Sequence, residues 1–266
     1  AGGEREYRDW SWTVDDSGGQ GIVDLRKAIY RSSNVYFYDV ASRLDINYLA
    51  RFAGEFGFGQ NLALDISDAS HGLVPDPEWK LGAKGEKWYQ GDSVNMGIGQ
   101  GDLLVTPLQI ATYVAMIANR GRIVQPRLVL SRGERSVPVL QRSMPETTSN
   151  LTEEDWQKMV AAMEDVVHLG GQGFRRNGTA WAYIGQRIGY RMAGKSGTAQ
   201  VVEIRQGEEY DEEELSEFSR KHAWFMAFAP VDDPQIALAV LVENGGGGSS
   251  VAAPVARKII DSYLGR

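Results

Sequence analysis

The sequence predicts an α+β fold, with helices packed on an antiparallel sheet. Three observations carry that expectation. Helix-capping and apolar-periodic signals recur through the first two thirds of the chain. Three segments rich in apolar and β-branched residues fill the last third. No internal repeat and no alternation of strand with helix suggests a parallel arrangement. At 266 residues the chain suffices for one large domain or two small ones, with ample apolar content for a core.

The elements follow in order. Residues 1–21 are polar and Gly-rich, and Asp15–Gly21 (DDSGGQG) reads as loop. Asp24 is placed to cap a helix over Leu25–Arg31, and a second helical stretch runs over Val35–Asp45. A third covers Tyr48 onward, with Gly57 and Gly59 placed to end it. Residues 60–105 read as irregular, being rich in Gly, Pro, Asp and Trp. Thr106-Pro107 opens a clear helix that Gly121 follows, and Arg122–Leu130 (RIVQPRLVL) reads as a strand. Thr152 and Asp155 have capping-box spacing ahead of a helix through Trp156–Leu169. Tyr190–Ile204, His222–Val231 and Gln235–Asn244 are the three predicted strands, the first two separated by an acidic insert at 207–217. Gly245–Ser250 (GGGGSS) leads into a C-terminal helix over Val251–Leu264.

Bulk properties exclude several functions. A net charge of −7 argues against a nucleic-acid surface, which needs a basic face. The absence of cysteine removes disulfides, thiolate catalysis and cysteine-held metals. No His pair has ligand spacing and the acidic run is too uniform for a cage, so neither metal nor cofactor is expected. No apolar run approaches the roughly 20 residues of a membrane helix. His71, His168 and His222 read as surface or structural residues.

Gly189–Ser196 (GYRMAGKS) matches the phosphate-loop pattern G-x-x-x-x-G-K-[ST]. That loop requires a helix to begin at its Lys-Ser, presenting backbone N–H groups to the anion. Here Gly197 and a Val-Val-x-Ile run follow, which favour a strand, and Tyr190, Arg191 and Met192 are bulky. The match is therefore read as accidental. On a strand, Lys195 and Gly197 share one face, with Ser196 and Thr198 on the other. Gly197 would let a substrate backbone approach closely, and a lysine ammonium with nearby hydroxyls can receive a carboxylate. An ordinary exposed edge strand accounts for the same residues.

Ser32-Ser33-Asn34 stands between two helical stretches and, alone, reads as a capping sequence. Together with Lys195-Ser196-Gly197 it supplies two of the three motifs of the penicillin-recognising serine acyltransferases, Ser-x-Asn and Lys-Ser/Thr-Gly. The likeness extends through SSNVYFYDVASRLDI, WYQGDSVNMGIGQGDLLVTPLQIA, NGTA, AGKSGTAQV, KHAWFMAFAPV and VLVENGGGG. Over most of its length the chain resembles the transpeptidase domain of penicillin-binding protein 2, the class B family of bacterial cell elongation. The resemblance implies a penicillin-recognising serine transpeptidase fold, an antiparallel sheet flanked by helices with a helical subregion.

It also implies roles. Ser32 would relay a proton toward Lys195, and Asn34 would hold the substrate amide. Lys195 would supply positive charge, the Ser196 and Thr198 hydroxyls would bind a terminal carboxylate, and the Thr198 N–H would form half of an oxyanion hole. Gly197 completes the substrate-binding set. The third motif, Ser-x-x-Lys, carries the family's nucleophile, and no serine in this sequence has lysine three positions later. Residues 1–266 are thus expected to be a partial transpeptidase domain whose N-terminal part lies before Ala1. Implied partners are peptidoglycan stem peptides, β-lactams, a membrane glycosyltransferase and other elongation proteins, with the domain in the periplasm and anchored to the inner membrane. A carboxypeptidase or β-lactamase-type hydrolase, or a non-catalytic β-lactam sensor, would share the two motifs.

Overall fold

A computed structural model describes residues 19–63, 65, 68–129, 131–133, 135–136, 141–142, 150–171, 173, 176–201 and 216–266, with Tyr7, Trp10 and Ser11. Most of the opening loop, the end of the first predicted strand and the acidic insert up to residue 215 lie outside the described residues.

The helices begin where their caps are. Asp24 Oδ1 accepts from the Lys27 N–H at 2.7 Å ahead of α1 (Leu25–Arg31). Helix α2 (Asn34–Arg43) starts two residues after Ser32, and α3 (Ile46–Glu55) starts at an Asp45 cap. The chain leaves α3 through Gly57, whose φ of +89° is a left-handed conformation suited to glycine.

The irregular reading of 60–105 is overturned in part. Two helices, α4 (Pro77–Lys84) and α5 (Gln90–Gly97), occupy about a third of it. Their signals are present, an Asp76 cap with Pro77 in the first turn and Gly85 past the end. Both are eight residues long, and Gly82, Gly91 and Gly97 within them weaken the helical pattern. Helix α6 (Pro107–Ala118) has the expected N-terminus, with a Thr106–Gln109 capping box. Gln109 is buried, and its Nε2 donates to the carbonyls of Gln60 at 3.1 Å and His71 at 2.8 Å. One side chain thereby ties the loop after α3 to α6.

The predicted strand over 122–130 is also shorter than expected. Among the described residues of that stretch, only Ile123–Val124 pair, antiparallel to Gln141–Arg142. Pro126 has no N–H to offer a ladder. The N–H groups of Leu128 and Val129 donate to the Asp65 carboxylate at 2.8 and 2.6 Å. Helix α7 (Glu153–His168) follows its Thr152–Asp155 capping box as predicted.

The three C-terminal strands form one antiparallel sheet in the order β1 (Ala193–Ala199), β2 (His222–Ala229), β3 (Ile236–Val242). A π-helical turn, Gly248–Ala252, then enters α8 (Ala253–Leu264). Alternation along β2 divides the core. Phe225 and Ala227 pack with Leu238, Val240 and Ile260 of α8, whereas Phe228 packs with Val114 and Ile117 of α6 and Val160 and Met163 of α7. Helices therefore cover both faces of the sheet, which is the predicted α+β arrangement. With β2 in the middle, β1 has no strand on its other edge among the described residues. No helix among the described residues is long and apolar enough to cross a membrane.

Two histidines act as structural acceptors. His222 Nδ1 accepts from the Asn244 N–H at 2.9 Å, and His168 Nε2 from the Met192 N–H at 3.0 Å, just ahead of β1. Burial holds the His168 pKa below the ordinary imidazole value, because it penalises the imidazolium. In that pH window, below about 6.5, the unfolded chain binds the proton that the folded chain refuses. Stability is therefore full above the unfolded value and is lost as pH falls through the folded one. Urea unfolding between pH 8 and pH 5 should show that loss for the parent chain and a flatter profile for His168→Gln, whose amide can accept the same N–H without titrating. Equal slopes would contradict the buried, neutral His168.

Candidate active site

Two segments far apart in sequence meet at the free edge of the sheet. Lys195 Nζ donates to Ser32 Oγ at 2.8 Å across a separation of 163 residues, and to the Ser196 carbonyl at 2.7 Å. β1 supplies the lysine at a register fixed by pairing Lys195 with Met226 and Gly197 with Trp224. The same pairing keeps the predicted alternation of Lys195 and Gly197 against Ser196 and Thr198.

Ser32 is held by the end of α1. The Ser33 N–H donates to the Ala28 carbonyl at 2.9 Å and the Ser32 N–H to the Ile29 carbonyl at 3.2 Å, the two bonds of a Schellman motif. That motif puts Ser32 at φ 54°, ψ 52°, a left-handed conformation usually filled by glycine. A serine there costs roughly 1–2 kcal/mol. Its retention of a hydroxyl in that position is what lets Lys195 be met. Both serines occupy cap positions, Ser32 at the end of α1 and Ser33 at the N-cap of α2, but Ser33 makes no side-chain capping bond. Asn34 opens α2 and is half-buried, with no side-chain hydrogen bond among the described residues.

The Ser196 hydroxyl has a different neighbour. It lies 3.3 Å from Thr179 Oγ1, and the Thr179 N–H donates to the Tyr30 carbonyl at 3.1 Å. The hydroxyl that hydrogen-bonds Lys195 is therefore that of Ser32, while Lys195, Ser196 and Thr198 all line one cavity. Thr179 was not singled out by the sequence reading, and its NGTA segment carries no local signal of a site.

Gly197 is packed tightly. A Cβ there would stand 3.3 Å from Trp224 Cβ, and a Cβ on Gly248 would come within 2.3 Å of the carbonyl oxygens of Gly197 and Trp224. The Gly-rich segment before α8 thus lies directly against the β1–β2 pair. Its glycines serve close packing as well as the turn.

A cavity of about 620 Å³ opens beside β1. Lys195, Gly197 and Thr198 line it from the strand, and Leu49, Phe58 and Ile110 from the helical side. Ser32 and Asn34 do not line it, so Lys195 is where the motif pair and the cavity meet. Gln100, on the Gly97–Gly101 loop, also lines it, and its amide spans the strand edge: Nε2 donates to the Thr198 carbonyl at 2.9 Å, and Oε1 accepts from the Gln200 N–H at 3.2 Å. Sequence reasoning passed over Gln100, although Gly99 and Gly101, at φ 75° and 74°, mark a tight turn that presents it.

Burial lowers the Lys195 pKa from its usual range to about 8. No acidic side chain hydrogen-bonds it among the described residues. Such an amine can exchange a proton with Ser32 near neutral pH while still offering positive charge to an anion. Residues in an antiparallel strand point their N–H and C=O to the same side. Since the Thr198 carbonyl faces the free edge, its N–H does too, and it can stabilise developing negative charge on an oxygen placed there. Among the described residues no group of acidic or histidine side chains is arranged to hold a metal ion.

Residues 1–261 match the family model described as penicillin binding protein transpeptidase domain. A peptidoglycan D,D-transpeptidase MrdA of Acinetobacter baumannii is 41% identical over 266 residues, covering 99% of this chain and 37% of that protein. The chain thus spans under two fifths of that relative's length. A crystal structure of Pseudomonas aeruginosa PBP2 in complex with WCK 5153 is 40% identical, with a TM-score of 0.76 over 91% of this chain and 49% of that one. Helicobacter pylori PBP2, in its complex with MreC, is 29% identical, with a TM-score of 0.78 over 99% of this chain and 43% of that one.

The left-handed Ser32 gives a direct test. Ser32→Ala and Ser32→Gly both remove the hydroxyl on Lys195, but only glycine relieves the backbone. Ser32→Gly should therefore be more stable than Ser32→Ala by about 1 kcal/mol in urea unfolding. Equal stabilities would contradict the conformation assigned to Ser32.

Proposed function

Since the chain belongs to the penicillin-binding protein transpeptidase domain family, we propose that it is the C-terminal part of a D,D-transpeptidase domain. In this reading the longer protein cross-links peptidoglycan stem peptides through a serine acyl-enzyme and is acylated by β-lactams. The observation that carries it is the 2.8 Å bridge from Lys195 Nζ to Ser32 Oγ, which joins the two motifs at an open strand edge beside a cavity.

The nucleophile in this reading is the serine of a Ser-x-x-Lys segment outside these 266 residues. Its Oγ attacks the carbonyl carbon of the penultimate D-Ala, and its proton passes to a neighbouring base. The C–N bond then breaks and D-Ala leaves with a proton, for which Ser32 and Lys195 form the relay. An amine of a second stem peptide attacks the acyl-enzyme carbonyl, the ester C–O bond breaks, and the amine's proton returns to the serine oxygen through the same base. The Thr198 N–H stabilises the tetrahedral oxyanion in both halves. Asn34 holds the substrate amide through its side chain. Lys195, Ser196 and Thr198 receive the terminal carboxylate, and Gly197 keeps the strand edge clear.

The relatives support an elongation setting for the longer protein. The Helicobacter pylori protein was solved with MreC, and a comparable partner is proposed for the longer protein here, together with a membrane glycosyltransferase. The site would then face the periplasm, with the anchor to the inner membrane outside this chain.

Mass spectrometry before and after penicillin treatment tests the reading in the intact protein. A single adduct on the serine of Ser-x-x-Lys is expected. No adduct, or an adduct on Ser32, would contradict it. Lys195→Ala should abolish acylation without unfolding the domain, and Asn34→Ala should slow it on the order of a hundredfold. A normal rate in Lys195→Ala would remove the lysine from the mechanism.

A further inference from the structure

The amide of Gln100 is the one side chain that spans two backbone groups of the free β1 edge, among the hydrogen bonds of the described residues. It donates to the carbonyl of one residue and accepts from the N–H two residues on, as a residue of an added parallel strand would. The edge is thereby closed at Thr198 and Gln200 by a group belonging to the helical subregion.

The backbone of Gln100 is fixed from below. At the end of α5 the Gln100 N–H donates to the Asn95 carbonyl and the Gly99 N–H to the Met96 carbonyl, both at 2.9 Å. This is a second Schellman motif, with Gly99 at the left-handed position and Gln100 next in line. Helix α5 is itself pressed on α2, since a Cβ on Gly97 would stand 2.3 Å from Ala41 Cβ. Asn34 begins α2. A continuous path of packed backbone therefore runs from Asn34 to Gln100 and, through its amide, to Thr198.

β1 ends at Ala199, so Thr198 lies one residue from the end of a strand that, among the described residues, has β2 on one side only. We infer that Gln100 is a positioning residue for acyl transfer: its amide fixes the Thr198–Gln200 edge and so aims the Thr198 N–H at the developing oxyanion. The inference rests on the transpeptidase reading above. Gln100 does not touch the reacting atoms. It holds the strand that carries one of the groups that do, and small misplacements of such groups are costly in rate.

The test uses the intact protein with its nucleophile and a fluorescent penicillin, separating the non-covalent Kd from the acylation rate constant. Gln100→Ala removes both bonds. Gln100→Glu keeps the size but cannot donate to the Thr198 carbonyl when ionised. Both should lower the acylation rate constant about tenfold to a hundredfold, with the Kd within about twofold and the unfolding midpoint unchanged. Parent-like acylation in both variants would overturn the inference and leave the transpeptidase reading standing. So would loss in Gln100→Ala alone, which would mean that only the bulk of the side chain matters. A loss appearing wholly in Kd would also overturn it, as the role would then be substrate binding. Failure of the parent protein itself to acylate would instead overturn the reading beneath it.

Discussion

The hydrogen bond between Lys195 and Ser32 is the constraint on which the rest of the site depends. It joins the first described helix to the free strand of a C-terminal sheet, 163 residues apart, at 2.8 Å. Neither partner is placed by its own residue type. Ser32 reaches the lysine because a Schellman motif ends α1 and turns its backbone left-handed. Lys195 reaches the serine because the β1–β2 register fixes which of its neighbours share its face. Burial then lowers the lysine's pKa to about 8, and the pair becomes suited to moving a proton.

Close backbone contacts hold the two partners at that distance. The Gly248 backbone lies on the carbonyls of Gly197 and Trp224, leaving no room for a Cβ. On the helical side, Gly97 sits against Ala41 and docks α5 on α2. Such contacts transmit position well because packed interiors yield little. The site consequently has two supports, one through the sheet behind Gly197 and one through the Gln100 amide at Thr198.

Much of this was legible in the sequence where signals are local. Asp24, Thr106-Pro107 and Thr152 with Asp155 each begin a helix in the structure. The alternation of Lys195 and Ser196 on a strand was read correctly, and with it the rejection of the phosphate loop. Family resemblance, not periodicity, pointed to Ser32 and Asn34, because a Ser-Ser-Asn tripeptide alone is an ordinary helix junction. What was missed is non-local. Helices α4 and α5 are short and hold glycines, so their pattern is weak. The strand expected over 122–130 gives its later N–H groups to Asp65, some 63 residues away. Thr179 and Gln100 join the site only through tertiary contacts, at separations of 17 and 98 residues from their partners on β1. No window of sequence contains both ends of such a bond.

The assembled site depends above all on the state of Lys195. Its pKa can be followed in this chain by NMR titration of the ε-carbon, with Lys195→Arg to assign the signal. The buried position predicts a midpoint of about 8. A midpoint near 10.5, the ordinary lysine value, would mean a solvated ammonium free of Ser32 and would contradict the assembled site.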